Sequence, residues 1–106
     1  MNSISKNTFG LTQRDMNTLV SILQKHNTIK DVVIFGSRAK GNYKTGSDID
    51  LVIMNKDVSN TELIQLKNDF EESSLPYFVD VLNYHSIQTP DLINHISRVG
   101  EQLYKQ

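Results

Sequence analysis

The sequence predicts an α/β fold, a small mixed β-sheet with flanking helices, and three observations lead there. Val32–Phe35 and Ile49–Met54 are short, continuous, apolar runs rich in β-branched residues, the pattern of strands covered on both faces. A third run, Tyr77–Asn83, returns after a helix-period segment long enough to cross over between neighbouring strands. Further helix-period segments precede the first strand and follow the third, so helices are available to cover the sheet.

Residues 1–10 lack periodicity and are read as a flexible N-terminal arm, with 11–106 as a single domain. Thr12 can cap the first helix, Asp15 stands three residues on, and Met16, Leu19, Val20 and Leu23 share one face. Asn27 is the expected left-handed stop. The first strand ends at Gly36, and Ser37 to Gly41 should form a short helical turn before the second strand. Ser59 or Asn60 can cap the next helix, which carries Leu63, Ile64, Leu66 and Phe70 at helical spacing to about Glu72 before Pro76 closes it. Thr89 and Pro90 supply a cap and a first helical position for the last helix, Gly100 stops it, and Glu101 to Tyr104 add a short edge strand.

At 106 residues there is room for one core, not for a catalytic domain plus a separate recognition domain. The net charge of −1 gives no basic field, so long nucleic acid is a poor partner. Absence of cysteine excludes a disulfide scaffold and a thiol nucleophile. No apolar stretch reaches membrane-spanning length and Met1 opens no leader, so the expectation is a cytoplasmic protein with no membrane partner. Neither a dinucleotide-binding G-x-G-x-x-G nor a G-K-[ST] phosphate loop occurs.

Chemistry is expected where the apolar runs stop. Gly36-Ser37 is followed, after a ten-residue spacer, by Asp48-Ile49-Asp50. Side chains alternate along a strand, so Asp48 and Asp50 project to one face at the mouth of the second strand. Two carboxylates there repel unless a cation lies between them, and hard oxygen ligands suit Mg²⁺ together with phosphate. Asp80 interrupts the third apolar run, where a charge is unwelcome without a purpose, and it joins the pair if the third strand neighbours the second. Three carboxylates around two Mg²⁺ ions are what nucleotidyl transfer requires. Gly36 lets backbone approach phosphate without a Cβ, and Ser37 with the following amides can donate to it. Arg38 and Lys44 are candidate phosphate neighbours. Ser47 belongs to the same nucleotide-binding set or orients the adjacent aspartate, while Lys40, Gly41, Gly46 and the three histidines are read as structural or solvated.

Ile34-Phe35-Gly36-Ser37, Ser47-Asp48-Ile49-Asp50-Leu51-Val52 and Val79-Asp80-Val81, in that order, resemble the minimal nucleotidyltransferases of the DNA polymerase β superfamily. The resemblance spans residues 12–104 and implies that family's palm-like fold. It implies that Gly36 and Ser37 hold the triphosphate, that Asp48 and Asp50 bind metal, and that Asp80 completes the metal site and helps activate an acceptor hydroxyl. The implied activity is Mg²⁺-dependent transfer of a nucleoside monophosphate, AMP from ATP or another triphosphate, with release of pyrophosphate. Only 26 residues follow Asp80, so a partner is expected to supply acceptor recognition. By resemblance that partner is a small helical protein of the HEPN class, serving either as a substrate-binding subunit or as a toxin modified on a tyrosine hydroxyl. The competing expectation is an antitoxin that occludes its partner and keeps the acidic site as a relic. Homo-oligomerisation stays open.

Overall fold

Both longer helices start where a hydroxyl residue and an acidic residue stand three apart. In the computed structural model, which describes residues 7–106, Thr12 accepts the Asp15 amide and Asp15 accepts the Thr12 amide at the head of α1 (Gln13–Gln24). Ser59 and Glu62 repeat this reciprocal pairing at the head of α3 (Asn60–Glu71), satisfying amides that a helix start leaves orphaned. Between them come β1 (Asp31–Phe35), α2 (Gly36–Lys40) and β2 (Ile49–Ile53). After α3 follow β3 (Val79–Asn83), one 3₁₀ turn (Tyr84–Ser86), α4 (Pro90–Val99) and β4 (Glu101–Lys105).

The sheet is mixed, in the order β3-β2-β1-β4. β1 runs antiparallel to both β2 and β4, while β2 and β3 are parallel and joined by α3 as the crossover. Alternation along the strands divides the core by face. Ile34, Leu51 and Val81 pack with Leu19 and Leu23 of α1 and with Leu66 and Phe70 of α3. The opposite face carries a smaller cluster in which Phe35 and Val52 meet Ile96 of α4. Asp50 shares parity with Val52, so it lies on the α4 face at the end where β1 finishes and β2 begins.

Four local expectations are corrected. Asn27 is not a left-handed stop: α1 ends at Gln24, Lys25 caps it in the right-handed conformation, and the carbonyls of Ile22 and Leu23 accept the Lys25 and His26 amides. The third strand begins at Val79 and not at Tyr77, because the Tyr77 ring is committed to Arg38, 4.4 Å from its guanidinium carbon. Thr89 makes no side-chain cap bond, and α4 opens instead on Pro90 with the Ile93 amide on the Thr89 carbonyl. Of the expected arm, residues 1–6 lie outside the described residues. Residues 7–10 form a turn in which Asn7 Oδ1 accepts the Phe9 and Leu11 amides and Phe9 packs on the core. No described helix is long and apolar enough to cross a membrane.

Candidate functional site

Parallel pairing of β2 and β3 sets Asp50 directly beside Asp80, and antiparallel pairing sets Phe35 on the other side of Asp50. Asp50 and Asp80 are half-buried, while Asp48, two residues before Asp50, is exposed. Burial above all, then the charges of Asp80 and Asp48, pushes the Asp50 carboxyl above the ordinary carboxylate range. Among the described residues no ion pair neutralises any of the three. Among the described residues nothing pairs with the cluster to compensate its carboxylates. The side chains do not close into a three-ligand cage: among the described residues no three acidic, histidine or cysteine groups are placed to grip one ion. Two carboxylates with space for phosphate oxygens are nonetheless the donor set Mg²⁺ takes.

Gly36 forms the wall opposite the carboxylates. Its φ is +75°, and a Cβ built there would fall 3.1 Å from Asp50 Cγ and closer still to Oδ2. Only glycine allows both the backbone conformation and the Asp50 carboxylate lying across it. Ser37 follows in the first turn of α2, half-buried. The Gly36 amide donates to His95 Nε2 at 3.2 Å, and the His95 ring meets Phe35 edge to face at 6.1 Å.

Arg38, expected beside phosphate, has partners within the protein. The guanidinium is buried, donating to the carbonyls of Ser47 at 3.0 Å, Phe9 at 2.8 Å and Gly10 at 3.4 Å, between the rings of Tyr43 and Tyr77. Through Nε and Nη1 the side chain ties residues 9–10 to the loop that carries Asp48. Ser47 is likewise engaged, its carbonyl accepting Arg38 and its Oγ accepting the Lys44 amide at 2.8 Å, so it shapes the turn ahead of Asp48. Lys40 is exposed, and so is Lys44, the other candidate phosphate neighbour.

His95 is the site residue that sequence reasoning overlooked, having been read as structural or exposed. The signal was its place beside Ile96 and three residues after Leu92, on the stripe of α4 that faces the sheet. His26 and His85 lie elsewhere, on Asp69 at 2.8 Å and on the Met54 carbonyl at 2.9 Å. Beside Asp80 runs a cleft of about 380 Å³ whose walls include Tyr77 and two exposed large apolar side chains, Ile64 and Phe78. A larger groove of about 690 Å³, between α1 and the end of α3, holds none of the three aspartates.

The model of the polymerase beta nucleotidyltransferase family matches residues 17–106. A Methanocaldococcus jannaschii protein provisionally named a protein adenylyltransferase is 41% identical over 70 residues, covering 65% of this chain and 73% of its own. Among solved structures, a toxin-antitoxin complex with AMP-PNP contains a chain of similar fold, with a TM-score of 0.70, 24% identity and coverage of 87% of this chain and 74% of that one. A complex of tri-AMPylated Shewanella oneidensis HEPN toxin with MNT antitoxin gives a TM-score of 0.65 at 23% identity, covering 89% and 72%. At these identities the two structures speak to fold alone.

Proposed function

The chain belongs to the polymerase beta nucleotidyltransferase family, and from that premise we propose that it transfers AMP from ATP to a hydroxyl on a HEPN-type helical partner, releasing pyrophosphate. The observation that carries this reading is the register of Asp50 beside Asp80 with Gly36 against Asp50, which supports an acceptor-side and a phosphate-side group close together. The names of the relatives support the donor and the partner: one is provisionally named a protein adenylyltransferase, and a structural neighbour is in complex with a tri-AMPylated HEPN toxin.

In the proposed reaction the acceptor oxygen attacks the α-phosphorus, the bond from that phosphorus to the α–β bridging oxygen breaks, and pyrophosphate departs. Asp48 and Asp50 would hold Mg²⁺ with the triphosphate oxygens, and Asp80 would complete that set from β3. An ion held there would supply neutralisation of phosphate charge and a lowered cost of ionising the acceptor hydroxyl. Asp80 receives the hydroxyl proton, Gly36 keeps the phosphate side free of side-chain bulk, and Ser37 donates to phosphate oxygen. The cleft walled by Ile64 and Phe78 has Asp80 in its lining.

The test is the intact mass of the partner after co-expression, with ATP and Mg²⁺ replenished during purification. We expect one or more AMP increments with the wild type and none with Asp48→Ala or Asp50→Asn. A partner that is bound and neutralised without gaining mass would overturn the transfer reading and leave occlusion as the function.

A further inference from the structure

The α4 helix contributes more to this site than cover for the sheet. Its apolar contacts come from Leu92 and Ile96, which meet Phe35 and Val52, and a purely apolar residue at position 95 would extend the same packing. Instead His95 places a ring nitrogen 3.2 Å from the Gly36 amide, across 59 positions of sequence. A nitrogen that accepts an N–H offers its lone pair, so in this contact Nε2 is the acceptor that faces the Gly36 amide. The amide it holds belongs to the residue with φ +75° against which the Asp50 carboxylate rests. Rotation of the Phe35–Gly36 peptide plane would move that surface and redirect the chain entering Ser37.

We propose that His95 is a positioning residue for nucleotide binding: by accepting the Gly36 N–H it fixes the peptide plane on which Asp50 lies and from which Ser37 departs. The proposal rests on the reading of Gly36–Ser37 as the nucleotide turn. With its N–H held by His95, Gly36 contributes shape to the site, and the phosphate-facing hydrogen bonds fall to Ser37. Phe35 steadies the arrangement from the other side, its ring meeting the imidazole at an interplanar angle of 79°.

Two substitutions separate this role from packing. His95→Phe keeps an aromatic ring beside Phe35 but has no acceptor, whereas His95→Gln keeps an acceptor in its side-chain amide oxygen. In nucleotide-free protein, amide exchange at Gly36 read by NMR should accelerate in His95→Phe and return towards wild type in His95→Gln. Calorimetry with Mg·ATP should show affinity falling about threefold to tenfold in His95→Phe, the range expected for one net hydrogen bond, with most of it recovered in His95→Gln. Both variants should melt within a few degrees of the wild type. Unchanged Gly36 exchange in His95→Phe, or equal loss of affinity in both variants, would overturn the assignment. If the wild type itself fails to bind Mg·ATP, the proposed function falls, while the exchange comparison still decides whether His95 holds Gly36.

Discussion

Replacing Gly36 by alanine should be far more costly than replacing Gly41, although both glycines have positive φ, +75° and +90°. Nothing lies within 4 Å of a Cβ at Gly41, so Gly41→Ala meets only the backbone penalty of a left-handed residue, about 1–2 kcal/mol. At Gly36 the same penalty applies and the new methyl also meets Asp50, with Cγ at 3.1 Å and Cβ at 3.4 Å. Overpacking of that kind adds about 1–3 kcal/mol, for a total of about 2–5 kcal/mol. Against a typical domain stability of about 5–15 kcal/mol this is a large loss without obligatory unfolding.

The assay is urea unfolding in EDTA of Gly36→Ala, Asp50→Ala, the double variant and Gly41→Ala. In the Asp50→Ala background the steric part disappears, so Gly36→Ala should cost what Gly41→Ala costs, leaving a coupling of about 1–3 kcal/mol between positions 36 and 50. Should the Asp50 side chain rotate away to relieve the contact, the coupling shrinks and Mg·ATP affinity falls instead. A coupling below about 0.5 kcal/mol together with unchanged Mg·ATP affinity would refute the claim that Gly36 is glycine for the sake of Asp50.

The raised proton affinity of Asp50 makes the metal-free protein favour acid relative to an Asp50→Asn control. The folded state holds the proton more tightly than the unfolded state, so this stabilisation is complete below the ordinary value of 3.8 and is lost as pH rises through the raised folded value. Urea unfolding in EDTA across that window should show Asp50→Asn gaining on the wild type towards neutral pH; a constant difference would contradict the burial and repulsion assigned to Asp50. Asp80→Asn should lower the rate of AMP transfer about 100-fold or more while Mg·ATP affinity changes little, measured by single-turnover kinetics and calorimetry. Arg38→Ala should cost about 1–3 kcal/mol in urea unfolding, since the Ser47 and Phe9 carbonyls lose their donor; a stable variant with selectively weakened ATP binding would support the phosphate role.

Much of the fold was legible because the chain states it locally. Thr12 with Asp15 and Ser59 with Glu62 announce two helix starts, and the apolar run around Ile34 can be satisfied only under two layers. The aspartates were legible for the opposite reason: Asp80 breaks an apolar strand, and a sequence that violates its own pattern marks a place where something other than packing is being satisfied. The buried contacts of Arg38 were not legible, because adjacency to Ser37 says nothing about where a long side chain turns, and the carbonyls of Phe9 and Gly10 that it meets lie 29 and 28 positions away. His95 was missed on the same ground, since its partner at Gly36 is 59 residues distant. What the sequence concealed was long-range and polar, a class of contact with no periodicity to betray it.

The two faces of the sheet divide the labour. Mutual repulsion of Asp48, Asp50 and Asp80 and the exclusion of any side chain at Gly36 are local costs in the ligand-free protein, and the small cluster of Phe35, Val52 and Ile96 beside them cannot offset much. The compensation comes from the other face, where α1 and α3 bury Leu19, Leu23, Leu66 and Phe70 against Ile34, Leu51 and Val81. This arrangement leaves α4 lightly loaded, with a single buried residue, Ile96, and free to present His95 to Gly36. Substitutions on the α1–α3 face should therefore register as stability, and those on the α4 face as nucleotide affinity, because the element that carries less of the core carries more of the site.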